Sequence, residues 1–405
     1  MKKGDLIQGV SSIKTFGGSM LPFLRDEDIV YFKRENFNNV KVNDIICVRK
    51  GGKIFTHRVV YKNEKFLITK GDNNYISDGK IYPKNVIGLV YKVKRDGLIF
   101  GINDLYLIQS TLYFQEIVKI KKAFKKANLD LIFLKGLPIY LYFDRIQPKR
   151  IYADCDILVS EKKLATAEAI LKQVGYQRED PYSEYSIIKH QKEVSYRKIV
   201  NGFPVFFDLH SELVFVMSRI GNLNLLYPEE LIKELTEKFV NERQVIKVNN
   251  ENFNILSNEN LLIYLCLHLF HHNFKGPHRY DLIMRILNQK LDYGYIVRVV
   301  HQFNLANFIS PCLLILSDLY NSKESRVLVD LIGGRNNMWL NVDIFKSDDL
   351  PGSGAFFKSL LFLSPSPLWK KMMVFGNLNV LNSIVLVLCR KLLTQGLLGN
   401  YPLKQ

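Results

Sequence analysis

Two groups of residues in this chain have the types and spacing of reaction centres. The first is Ser19, His57, Asp72 and Asp78. Ser19 lies in GGSMLPFLRDEDIV, between glycines and a proline-stiffened turn that runs into an acidic strand start. That setting exposes a hydroxyl and leaves backbone N–H groups nearby to receive an oxyanion. A hydroxyl at its ordinary pKa needs a base to become a nucleophile. His57 in THRVV, thirty-eight residues on, is suited to that task near neutral pH, and a carboxylate can fix its tautomer. Asp72 and Asp78 in KGDNNYISD lie six apart across an Asn-rich turn, so one can face the histidine while the other organises the loop. The sequence leaves open which does which. The chemistry is acyl transfer.

The second group is Asp154, Asp156 and Asp208. Asp154 and Asp156 head the apolar run CDILV, and on an extended strand positions i and i+2 share a face, so both carboxylates can meet one divalent cation cluster. Asp208 in PVFFDLHSEL is the candidate third acid from a neighbouring strand, with His210 on the same face. Such a set suits metal-assisted attack on a nucleotide α-phosphate. His268, His271 and His272 have i, i+3 and i+4 spacing on a helix; without a matching acid they read as a packed helix face rather than a metal site, with Arg279 and Asp281 as a structural pair nearby.

The elements that must position these groups follow from periodicity. Up to Gly97, short runs such as DIVYFKR, DIICVRKG and KIFTHRVVYK, punctuated by Gly, Asn and Asp, predict a small all-β domain over 1–97. From Leu98 the spacing becomes that of a long amphipathic helix, followed by alternating strands and helices, which predicts an α/β domain over 98–248. Residues 249–405 read as mostly helical, beginning with Ser257 as an N-cap. The fold class is therefore multidomain, all-β followed by α/β and a helical C-terminal part.

Composition narrows the function classes. In 405 residues, 47% are apolar and 23% charged, which excludes disorder, collagen and coiled coil as global descriptions. Five scattered cysteines with no CxxC make neither a zinc knuckle nor a disulfide framework, and a reducing, cytoplasmic setting is expected. Of the net charge of +17, residues 1–97 carry 19 basic against 10 acidic groups, a surplus of nine. The charge raises a basic nucleic-acid-binding regulator as an alternative, but no helix-turn-helix, aromatic RNP box or Arg stripe accompanies it, and a nucleic-acid partner is not expected. The opening residues lack the apolar core of a signal peptide or anchor. Met372 to Cys389 are eighteen uncharged residues diluted by Gly, Asn and Ser, which predicts a buried helix or a peripheral membrane contact over 372–389.

The boxes GGSMLPFL, VNDIICVR, THRVV, KGDNNYISD and VIGLVYKV resemble, in order and spacing, those of the signal peptidase superfamily of serine peptidases over residues 8–95. Histidine at the base position makes the resemblance specific to the archaeal and endoplasmic reticulum type. It implies Ser19 as nucleophile, His57 as general base, Asp78 as orienting carboxylate and Asp72 as a second acid, with no cofactor. The family's spanning helix ahead of the serine has no counterpart in these residues, so cytoplasmic maturation, self-cleavage or peptide binding by an inactive domain are the expected alternatives to general export processing.

FLKG, KRIYADCDILV, a helix ending in VGY, FFDLHSEL and LCLHLFHHNF with RYDL resemble, over residues 105–395, the uncharacterised nucleotidyltransferase family of the polymerase-β-like superfamily. That resemblance implies Asp154, Asp156 and Asp208 as ligands of Mg2+, Lys135 and Gly136 as a nucleotide-binding loop, Arg150 as a phosphate contact and a nucleoside triphosphate as substrate. Together the resemblances imply a bifunctional enzyme, a signal-peptidase-like serine endopeptidase with a magnesium-dependent nucleotidyltransferase, acting in peptide or protein maturation.

Overall fold

The computed structural model describes residues 10–74, 76–143, 154–179, 193–213, 223–248, 250–334 and 354–375. The front domain is an antiparallel sheet of β1 (Val10–Lys14), β2 (Ile29–Lys33), β3 (Ile45–Lys50), β4 (Lys53–Lys62), β5 (Leu67–Lys70), β6 (Lys80–Ile81), β7 (Val86–Arg95) and β8 (Leu98–Gly101). Their spatial order is β1-β2-β7-β3-β4-β5-β6, with β8 also paired to β7. Val, Ile and aromatic residues populate these strands because branched and flat side chains fit a pleated, half-buried surface. Three apolar clusters result among the described residues. One gathers Met20, Phe23, Leu24, Val30, Ile45 and Val93, another Val40, Ile46, Val48, Val59, Leu67 and Ile81, and the smallest Tyr61, Phe66 and Ile68.

The expected all-β domain is present, but its edge lies beyond Gly97. Residues 98–101 return antiparallel onto β7, with Leu98 opposite Arg95, so the chain completes the sheet before it turns helical. Helix α1 (Ile102–Lys126) then serves two cores. Its first turns place Leu105 and Tyr106 in the front domain's core; further along, Tyr113, Ile117, Ile120 and Phe124 enter the second. The three- and four-residue spacing of these positions is what lays them along one stripe of the helix.

The second domain is a mixed sheet of seven strands in the order β11-β12-β13-β10-β9-β15-β14. These are β9 (Ile132–Phe133), β10 (Cys155–Leu158), β11 (Gln177–Arg178), β12 (Glu193–Val200), β13 (Phe203–His210), β14 (Gln244–Val248) and β15 (Glu251–Ile255). The hairpin β14–β15 straddles the expected boundary at residue 248, and β15 pairs with β9 inside the sheet, so the sheet runs on to Ile255. Asn201 and Gly202, at φ of 50° and 78°, make the two-residue turn that joins β12 to β13, and the left-handed conformation at both positions explains Asn-Gly there. Helices α2 (Gly136–Phe143), α3 (Leu164–Gln173) and α4 (Glu229–Asn241) accompany the sheet.

From α5 (Asn258–His271) onward the described residues are helical, as expected, with Ser257 capping α5 by accepting from the Asn260 N–H. The helices α6 (Pro277–Leu287), α7 (Tyr293–Gln302), α8 (Ala306–Tyr320), α9 (Lys323–Ile332), α10 (Gly354–Leu363) and α11 (Leu368–Phe375) follow. Among the described residues no helix is long and apolar enough to cross a membrane. Of the expected apolar segment 372–389, residues 372–375 form the end of α11, with Met372 and Met373 exposed; the remainder lies outside the described residues.

The domains touch through the β12–β13 turn as well as through α1. The Arg25 guanidinium lies over the Phe203 ring, 4.8 Å from its centroid. A side chain at Gly202 would come within 3.1 Å of that guanidinium.

Candidate functional site

In the front domain the turn after β1 carries Ser19, the middle of β4 carries His57, and the loop from β5 to β6 carries Asp78. The three are joined by hydrogen bonds. His57 Nε2 lies 3.0 Å from Ser19 Oγ, and His57 Nδ1 lies 2.7 Å from Asp78 Oδ2. Thr69 Oγ1 donates to the same Asp78 oxygen at 2.7 Å, and the Asp78 N–H donates to the Thr69 carbonyl at 2.8 Å, so Asp78 is tied to Thr69 through both side chain and backbone. His57 is 6% exposed, while Ser19 and Asp78 are half-buried.

Asp72 is elsewhere. It receives a bidentate ion pair from Arg58, Nε to Oδ1 at 2.7 Å and Nη2 to Oδ2 at 2.6 Å. The KGDNN turn that contains it packs on the backbone of Ser19: the Asn73 N–H donates to the Ser19 carbonyl at 2.9 Å and Asn73 Nδ2 donates to the Gly18 carbonyl at 3.1 Å. Gly71 is glycine for a visible reason, since a Cβ there would stand 2.5 Å from the Ser19 carbonyl oxygen. The alternatives the sequence left open are thus separated, Asp78 on the histidine and Asp72 on the loop. Sequence reasoning missed Thr69 and Arg58; Arg58 follows His57 directly, and a charged residue inside an apolar strand run was the available signal.

In the second domain, β10 and β13 run parallel with Asp156 in register with Asp208. That register brings carboxylate oxygens of Asp154, Asp156 and Asp208 within 4.8 Å of one another. Asp156 and Asp208 are buried, and Asp154, at the mouth of β10, is exposed. Lys135 forms an ion pair with Asp156, and His210 Nε2 lies 2.9 Å from the same Asp156 oxygen. Ser195, opposite Asp208 on β12, donates to Asp208 Oδ1 at 2.6 Å.

These neighbours set the charges. Burial alone would raise Asp156, but Lys135 and His210 outweigh it and hold the carboxyl below its usual range. Asp208 is driven well above that range by burial, reinforced by Glu193, Asp154 and Asp156. A cluster of oxygen donors in which one buried acid resists ionisation until positive charge arrives fits a hard divalent cation. Lys135 and Gly136, expected as a nucleotide-binding loop, lie at the start of α2, with Lys135 at the left-handed φ of 54°. Arg150 lies outside the described residues.

At the end of α5, His268 and the capping His272 lie with ring centroids 4.8 Å apart, and both are lowered well below the ordinary histidine range, by burial first, then by Lys135 at His268 and by Arg279 at His272. Among the described residues the group placed to hold a metal is the three aspartates. The expected pairing of Arg279 with Asp281 is replaced. Asp281 pairs with Arg285 at 3.8 Å, because residues four apart meet on a helix surface and residues two apart do not.

Comparison with known proteins finds relatives of both parts of the chain. The chain is 30% identical to the signal peptidase complex catalytic subunit SEC11 of Debaryomyces hansenii over 115 residues, a quarter of this chain and 68% of that protein. It is 34% identical to the SEC11 subunit of Candida tropicalis over the same shares. Among solved structures, the lincomycin-bound lincosamide antibiotic adenylyltransferase LnuA aligns at 14% identity and a TM-score of 0.28, covering 43% of this chain and 96% of that one. A family model for uncharacterised nucleotidyltransferases matches residues 103–321, more than half of the sequence, and the chain belongs to that family.

Proposed function

We propose that the protein is a bifunctional enzyme in which a serine endopeptidase centre at Ser19 is joined to a magnesium-dependent nucleotidyltransferase centre at Asp154, Asp156 and Asp208, acting on a peptide or protein. The observation that carries the peptidase half is the continuous hydrogen-bonded chain from Ser19 Oγ through His57 to Asp78. Nucleophile, base and orienting acid stand in the order acyl transfer requires. In this reading His57 Nε2 takes the Ser19 proton as the oxygen attacks the scissile carbonyl. Asp78 keeps the other imidazole nitrogen protonated and stabilises the imidazolium. His57 then protonates the leaving amine, and water deacylates Ser19 by the same route.

For the second centre the carrying observation is the convergence of three carboxylates from β10 and β13. Asp154, Asp156 and Asp208 would hold the magnesium, which when bound offsets charge at the reacting phosphate. Lys135, paired with Asp156, would contribute positive charge toward the phosphates of a nucleoside triphosphate. Ser195 and His210 fix the acids that face the site.

The deciding experiment is to incubate host lysate and the purified chain with wild type, with Ser19→Ala and with Asp156→Asn, and to read new N-termini and nucleotide adducts by mass spectrometry. Cuts that require Ser19 and adducts that require Asp156 are the expected results. N-terminal profiles that coincide for wild type and Ser19→Ala would reduce the front domain to peptide binding, with nucleotidyl transfer as the remaining activity.

A further inference from the structure

The Ser19 centre is completed by a residue from outside the front sheet. We propose that Tyr106, on α1, is a positioning residue for Ser19, acting through Arg58 and Asp72; the inference rests on the peptidase reading above. Tyr106 is 8% exposed and lies inside the stretch that matches the nucleotidyltransferase family.

The contacts form an unbroken path. The Tyr106 hydroxyl donates to the Asn43 carbonyl at 2.8 Å and accepts from Arg58 Nη1, which also donates to the Asn43 carbonyl at 3.1 Å. The guanidinium carbon lies 4.9 Å from the Phe23 ring centroid and 5.2 Å from that of Tyr106, two rings that pack on each other at 4.7 Å. Held against that pair, its remaining edge meets Asp72 with two parallel hydrogen bonds. Asp72 lies between Gly71, which abuts the Ser19 carbonyl, and Asn73, whose N–H binds that same carbonyl. Each link fixes the next. A planar fork bound on one edge by Tyr106 and Asn43 has little freedom on its other edge, so the carboxylate it binds is fixed in place and in angle.

The path does not pass through His57 or Asp78. Its consequence is therefore specific: loss of the Tyr106 hydroxyl leaves the base and its orienting acid intact and loosens the backbone that aims the nucleophile. It also gives a physical reason for one chain to carry both domains, since the first helix of one supplies a buried support to the site of the other.

The test uses the full chain with Tyr106→Phe, Asp72→Asn and, as a control, Tyr227→Phe, which removes a buried hydroxyl bonded to the Phe303 carbonyl in the second core. The probe is an alkyl fluorophosphonate, its adduct at Ser19 followed by intact mass across pH. We expect Tyr106→Phe and Asp72→Asn to lower the plateau rate by about 10- to 100-fold, the scale of a small misplacement of a reacting group, without moving the midpoint of the pH profile. Tyr227→Phe should match wild type. A plateau for Tyr106→Phe within twofold of wild type overturns the proposal.

Hydrogen exchange supplies a readout independent of catalysis. In Tyr106→Phe the amides of residues 71–74 should exchange faster, while those of β7 remain protected. Unchanged exchange at 71–74 overturns the proposal even if Ser19 proves unreactive. Absence of any adduct in wild type, by contrast, counts against the peptidase reading and leaves the exchange result to decide the positioning role.

Discussion

His57 and Arg58 are neighbours on one strand, and they take the two aspartates of the following loop apart, His57 binding Asp78 and Arg58 binding Asp72. Successive side chains of a strand project to opposite faces, so a single-residue step in sequence separates the reacting face from the supporting one. Asp78 therefore governs the proton and Asp72 the loop.

Asp78→Asn should keep the fold and lower the rate of Ser19 acylation by about 10³- to 10⁴-fold, because an amide supports the wrong imidazole tautomer. Thr69→Val removes one hydrogen bond to the same carboxylate and should cost about tenfold. Fluorophosphonate labelling of the two variants checks the order. Equal rates for Asp78→Asn and wild type would remove Asp78 from the centre.

The turn after Ser19 is anchored by a second buried ion pair. Arg95 binds Asp28 through Nε at 2.9 Å and Nη2 at 2.6 Å, and Nη2 also reaches the Phe23 carbonyl at 2.7 Å. Asp28 is 2% exposed, so Asp28→Ala strands a buried guanidinium and should lower stability by about 3–5 kcal/mol. Urea unfolding followed by fluorescence measures it. A loss below about 1 kcal/mol would show that solvent reaches Arg95.

Magnesium should stabilise the second domain if the three aspartates hold it. At a hundredfold excess over its dissociation constant the gain is about 2.7 kcal/mol. Thermal unfolding with magnesium and with chelator should differ in wild type and coincide in Asp156→Asn and Asp208→Asn. A shift that survives both substitutions places the cation elsewhere.

Glu116 on α1 gives a pH signature. Burial works to raise its carboxyl, but hydrogen bonds from Lys198 and Tyr176, each at 2.9 Å, outweigh it and leave the group below its usual value. A depressed folded-state pKa stabilises the fold above the unfolded value of about 4.3 and is lost as pH falls through the folded one. Wild type should therefore lose stability between pH 5 and the acid limit more steeply than Glu116→Gln, by about one proton's worth of slope. Parallel curves in denaturant titrations across that range would refute the assignment.

Local patterning in the sequence was enough for the kinds of element and for the chemistry at stake. The alternation in KIFTHRVVYK required a strand, the spacing of Tyr113, Ile117, Ile120 and Phe124 required a helix, and the aspartates of ADCDILV required a shared strand face, because side-chain periods of two and 3.6 follow from backbone geometry alone. The tertiary structure decided what depends on register and on distant chain. The parallel alignment of β10 with β13 sets Asp208 beside Asp156, fifty-two residues away. The return of β8 onto β7 moves the domain edge past Gly97 and puts Tyr106 of α1 against Arg58. The assignment of Asp78 to His57 and Asp72 to Arg58 likewise depends on how the loop after β5 folds back on the Ser19 turn. Hydrogen bonds between residues far apart in sequence form only once sheet order and packing have brought them together, and no local pattern encodes which of two nearby carboxylates will arrive.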